Sequence, residues 1–136
     1  MNVQLRHFSR EQLRMTESAN PAAIKIMPNG VFYFYGKFSR LSSIHVSDHI
    51  LFSHDAVHNK WYVSKNDLLG LELKSYNNNF GSGIRATICS TELRREILES
   101  LNIDTNSTSI FYMSCSDKPS LLKIGKYFHE VKIINP

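Results

Sequence analysis

The sequence predicts an α+β fold, a pseudo-twofold β-barrel built from two strand-helix-hairpin repeats, with a short helix before them. Three observations predict it. Several short runs alternate apolar with polar residues, as half-buried strands do. Two other segments space their apolar residues three or four apart, as helices do. The order strand, helix, hairpin then recurs after roughly sixty residues. A chain of 136 residues can bury a core without metals or disulfides, so a single domain over 1–136 is expected. Its 42% hydrophobic and 21% charged residues set it apart from disordered chains, which hold less apolar matter and more net charge.

The first element is a helix over about 10–18. Ser9 stands as its N-cap, Gln12 as the capping-box partner, and Phe8 against Leu13 as a hydrophobic staple. Asn20-Pro21 ends it, because proline forces the preceding residue out of the helical region. Ile24 and Ile26 flank Lys25 in a strand, Pro28-Asn29-Gly30 makes a turn, and Val31-Phe32-Tyr33-Phe34-Tyr35 returns as a second strand. Its aromatic residues alternate, so one pair faces inward and one outward. Phe38, Leu41 and Ile44 form the apolar face of a short helix over 37–44. Ile50-Leu51-Phe52 and Trp61-Tyr62-Val63 make a hairpin, with Trp61 and Val63 on its inner face. Leu69 to Lys74 alternates as one strand, and the Asn- and Gly-rich segment from Tyr76 to Gly83 is a loop.

A second set follows. Ile84 to Ile88 is a strand, Ser90 caps a helix over 91–101, and Leu93, Ile97, Leu98 and Leu101 form its stripe. Ile110 to Met113 and Leu121 to Ile124 read as a hairpin, and Val131 to Ile134 as a last strand. Repeat unit one thus spans about 24–68 and unit two about 84–124. The best local echo sets Leu41, Ile44 and Val46 against Leu98, Leu101 and Ile103. Either unit alone leaves sheet edges open and one face uncovered, and two interleaved copies cover each other.

Sixteen Lys and Arg against twelve Asp and Glu give a net charge of +4, which favours an anionic partner. Cys89 and Cys115 show no CxxC spacing and are expected to be ordinary core or strand residues. No apolar run reaches the roughly 18 residues of a membrane span, and Arg6, Arg10, Glu11 and Arg14 interrupt the first segment. A cytoplasmic protein without membrane contact is expected. His45, His49, His54 and His58 lie close in sequence, but their places at a helix end, a strand start and a hairpin turn should splay them, so no metal site is expected. No GxSxG, HExxH, P-loop or GxGxxG pattern occurs, and the acidic residues are scattered; neither an enzyme nor a cofactor is indicated.

The run Gly83-Ile84-Arg85-Ala86-Thr87-Ile88-Cys89-Ser90-Thr91-Glu92-Leu93-Arg94-Arg95 resembles the unit of the AbrB-like (SpoVT/AbrB) swapped-hairpin family: glycine, basic residue, apolar strand, then a helix opening in Glu-Leu-Arg. Asn29 to Phe34 and Val46 to Ile50 look like a more degraded copy. The tandem arrangement resembles that of MraZ-like proteins. The resemblance implies a swapped-hairpin barrel that binds double-stranded DNA, as bacterial transcription regulators and antitoxins of this family do. It places the contacts at the strand and helix starts, on Arg85, Arg94 and Arg95 and, more loosely, on Lys37 and Arg40.

Guanidinium groups suit phosphates and guanine edges, which agrees with that assignment. Arg95 has a structural alternative as the i,i+4 partner of Glu99. Lys25 and Lys132, in the first and last strands, are expected to contribute less to binding than Arg85 and Arg94. Two rival functions fit the same residues. One is a protein-interaction module that has lost DNA binding; the other is a single-stranded nucleic-acid binder using the outward aromatics of 32–35.

Overall fold

A computed structural model describes residues 22–77, 83–119, 121–123 and 126–135; the helix expected over 10–18 lies outside them. The elements run β1 (Ala22–Ile26), β2 (Val31–Tyr35), α1 (Gly36–Ser42), β3 (His49–Asp55), β4 (Lys60–Lys65), β5 (Leu71–Glu72) and β6 (Lys74–Ser75). They continue with β7 (Ile84–Cys89), α2 (Thr91–Ser100), β8 (Phe111–Cys115), β9 (Leu121–Lys123) and β10 (Lys126–Ile133). The strands form an antiparallel sheet in the order β5-β3-β4-β10-β8-β1-β2-β7-β6, and β9 pairs only with β10. Its two ends, β5 and β6, are one residue apart in the chain, so the sheet is a nearly closed barrel.

Alternation decides what fills it. Phe32 and Phe34 on β2, Ile24 and Ile26 on β1, Ala86 and Ile88 on β7, and Phe111 and Met113 on β8 are all buried. They match in register, Ile24 opposite Phe34 and Met113, and Phe32 opposite Ile88. Each large side chain removed from water in this way contributes about 1.5–3 kcal/mol. Phe38 from α1, Ile44 just past its end, and Ile97 and Leu98 from α2 join the same core. Ser90 caps α2 as expected, its Oγ accepting the Leu93 N–H at 3.0 Å.

Trp61 is buried beside Val63, as the alternation predicts. Its indole N–H donates to Ser100 Oγ at 2.8 Å, and the Asn59 amide donates to the Ser100 carbonyl at 2.8 Å, tying the end of α2 to the β3–β4 hairpin.

Two expectations change. The run from Leu69 to Lys74 is two short strands rather than one, because the chain there leaves one sheet edge for the other. β5 pairs with β3 and β6 with β7. Leu121 to Ile124 is not the partner of β8. The far end of β10 takes that place, Cys115 opposite Val131 and Met113 opposite Ile133, and β9 folds back on the first half of β10. The apolar alternation of β8 is matched by Val131 and Ile133.

Leu73 sits between β5 and β6, 1% exposed. The loop after α1 holds it on both sides. Ser47 N–H donates to its carbonyl and its own N–H donates to Asp48, both at 2.9 Å. Asp48 in turn fixes that loop, accepting the His45 N–H at 2.8 Å and pairing with Lys65 at 3.3 Å. The His45 hydrogen bond holds the Asp48 carboxyl below its ordinary value; burial opposes it and Lys65 adds to it.

Leu73→Ala should therefore lose about 2–5 kcal/mol in denaturant unfolding, the range for a buried leucine, although Leu73 belongs to no long strand. Asp48→Asn should lower the melting temperature by about 2–4 °C near neutral pH, a modest loss because the group is partly exposed. A carboxyl whose folded pKa is depressed contributes its full stability above the unfolded value and loses it as pH falls through the folded one. The difference between variant and wild type should accordingly shrink below about pH 4, as followed by thermal melts across pH.

Candidate nucleic-acid interface

The site begins at a crossing of the two halves. Gly83 precedes β7 with φ +80°, and its carbonyl accepts the N–H of Gly36, the first residue of α1, at 3.0 Å. The reciprocal crossing joins Gly30, φ +88° before β2, to the start of α2: its carbonyl accepts the Ser90 N–H at 2.9 Å. Only glycine enters that backbone region freely. At Gly30 a side chain would also collide with Thr91, whose Cγ2 lies 2.7 Å from where a Cβ would stand.

The first crossing lays Arg85 across the start of α1. Its Cγ and Nε lie 3.6 and 3.9 Å from the position a Gly36 Cβ would occupy, and its side chain is exposed. Lys37 follows Gly36 directly, and exposed Arg40 lies three residues further along the helix, on the same side. Arg85, Lys37 and Arg40 are thus gathered at one corner.

Arg94 is not with them, which corrects the expectation for it. It is 6% exposed, and its Nη1 and Nη2 donate to the carbonyls of Thr105 and Ser107 at 2.9 and 2.7 Å. The cause is helical spacing: Arg94 stands three and four residues before Ile97 and Leu98, so it shares their buried face. That spacing was available in the sequence. The guanidinium braces the loop between α2 and β8. Arg95 is on the outside of α2, paired with Glu92 at 3.7 Å rather than with Glu99.

The outer face of β8-β1-β2-β7-β6 extends the corner. In register across these five strands stand Tyr112, Lys25, Tyr33, Thr87 and Lys74. Next to this row are Tyr35, Arg85 and Tyr76, with Tyr76 meeting Tyr33 edge to face at 5.3 Å. Lys25 Nζ is 6.0 Å from the centre of the Tyr33 ring. Burial, and after it Tyr112, push the Tyr35 hydroxyl above its ordinary value, so it stays neutral. None of these five strands, nor α1, contains Asp or Glu. The opposite side, β5-β3-β4-β10, mixes Asp55, Glu72 and Glu130 with its lysines. Lys25 therefore lies within the acid-free face, on the strand beside its central one.

The histidines do other things. His54 stacks on Trp61 at 4.6 Å, His58 Nδ1 lies 2.8 Å from Asp55, and His49 is 3.9 Å from Asp67. Among the described residues no group of three or more His, Cys, Asp or Glu converges, and no helix is long and apolar enough to cross a membrane. No family model, no curated protein and no solved structure matches the chain.

Because the buried Arg94 guanidinium holds two loop carbonyls, Arg94→Ala should cost about 2–3 kcal/mol of stability in thermal or denaturant unfolding. Arg94→Lys should recover less than half of the loss, since one ammonium does not reproduce the two-pronged guanidinium.

Proposed function

We propose that this chain is a DNA-binding barrel of AbrB-like kind, a cytoplasmic transcription regulator or antitoxin-like factor that grips duplex DNA with Arg85, Lys37 and Arg40. The observation that carries this reading is charge segregation. Five cations, Lys25, Lys37, Arg40, Lys74 and Arg85, occupy one side of the barrel in elements that hold no carboxylate. A protein-interaction surface would be expected to intersperse acids with them, whereas a phosphate backbone repels carboxylates.

The swapped-hairpin, pseudo-twofold part of the proposal draws support from strand pairing. Exchanging β2 with β7, β3 with β8, β4 with β10, and β1 with the β5–β6 segment leaves the neighbours of every exchanged strand unchanged. The reciprocal bonds of Gly30 and Gly83 obey the same exchange. The proposed contacts do not. Where unit one offers Lys37 at its helix start, unit two offers Glu92, and Arg95 pairs with that acid. Arg95 is thus a secondary contact, and the duplex is held chiefly on the Arg85 corner.

Fluorescence anisotropy with a labelled duplex at 50 and 200 mM salt tests this. Arg85→Ala should reduce the salt slope by about one ion and weaken binding at low salt by roughly five- to twentyfold, whereas Lys60→Ala on the far side should change neither. Equal effects of the two substitutions, or no duplex binding by the wild type, would refute the assignment.

A further inference from the structure

The tyrosines of the acid-free face are not needed for phosphate binding, and their arrangement has its own chemistry. Strand alternation already buries Phe32 and Phe34, and it turns Tyr33 and Tyr35 outward without any demand that they be aromatic. Yet four tyrosines, Tyr33, Tyr35, Tyr76 and Tyr112, crowd the outer face, each only partly covered. Tyr112 and Tyr33 flank Lys25 on the two neighbouring strands, each directly opposite it in register. With strands about 4.8 Å apart, the two tyrosines stand roughly 10 Å apart with a cation between them. Lys74 and Arg85 continue the positive charge past Tyr33 towards the corner at α1.

We propose that this face binds single-stranded nucleic acid, with unpaired bases stacking on Tyr33 and Tyr112 and the phosphate between them held over Lys25. The proposal rests on the reading above that the acid-free side takes nucleic acid, and it narrows the preferred ligand to unpaired bases. The stated chemistry selects them. In a duplex the base faces are already stacked on one another, so the tyrosines gain nothing from it, while an unpaired strand offers every base a free face whatever its sequence. Charge complementarity chooses the occupant over a protein segment: an acidic peptide would satisfy the cations but leave the aromatic faces without planar partners. A melted or single-stranded stretch beside a duplex would engage both features, bases on the tyrosines and backbone on Arg85, Lys37 and Arg40.

The test uses the full chain and three fluorescein-labelled probes: a 15-nucleotide deoxythymidylate strand, a 15-nucleotide uridylate strand and a 15-base-pair duplex. The wild type should bind at least one of the single strands about tenfold or more tightly than the duplex, and the preference between thymidylate and uridylate assigns the source to DNA or RNA. The Tyr33→Leu, Tyr112→Leu double variant should lose about tenfold in single-strand affinity per tyrosine and keep its duplex affinity within about twofold. The Tyr33→Phe, Tyr112→Phe variant keeps both rings and should bind as the wild type does, which separates stacking from damage to the fold. Single strands bound no better than duplex, or a leucine variant indistinguishable from wild type, would overturn the inference. If duplex binding nevertheless persists and depends on Arg85, the proposed function stands without it; if neither form is bound, both fall.

Discussion

Closure of the barrel at Leu73 is the constraint on which the rest of the fold depends. A sheet of this many short strands has two exposed edges, each a row of unsatisfied backbone groups, unless its ends are joined. Here the chain itself joins them: β5 finishes one edge on β3, Leu73 turns inward, and β6 begins the other edge on β7. Two short strands with a kink achieve what one straight strand could not, because a straight strand of this length would follow a single neighbour. The loop at Ser47 and Asp48 takes both backbone groups of Leu73, so the residue that leaves the sheet ladder is still fully hydrogen-bonded.

Closure also dictates where charge can be placed. Once the inner face is filled by Phe32, Phe34, Phe111 and their neighbours, every second residue of β1, β2, β7 and β8 must face outward. The crossing at Gly36 and Gly83 then sets Arg85, a residue of the second half, over the first turn of a helix from the first half. The basic corner exists only in the folded chain. It follows from a 3.0 Å bond between two glycines that carry no side chain at all.

What was legible in the sequence is what depends on neighbours a few residues away. The β1–β2 hairpin, the Ser90 cap, the burial of Trp61 and the inward and outward pairs of 32–35 all follow from period or capping chemistry, and all are present. What was not legible depends on partners far along the chain. Whether β8 takes β9 or the end of β10 turns on a match between Met113 and Ile133, twenty residues apart, and local pattern favours the nearer strand. The row joining Tyr112, Lys25, Tyr33, Thr87 and Lys74 is likewise a product of register, and no segment of the sequence contains it.

Arg85 and Arg94 show why residue type alone misassigns a site. Both lie at the start of an element and both match the pattern of a DNA-contacting position, yet their surroundings separate them. Arg94 falls on the stripe of Ile97 and Leu98, where a charge survives only if its donors find acceptors, and two of its nitrogens find Thr105 and Ser107. Arg85 alternates with the buried Ile84 and Ala86, so the pleat turns it to solvent, where its stem lies over Gly36. The same guanidinium is a brace in one place and a free donor in the other. The parity of a strand and the period of a helix decide which, before any ligand is considered.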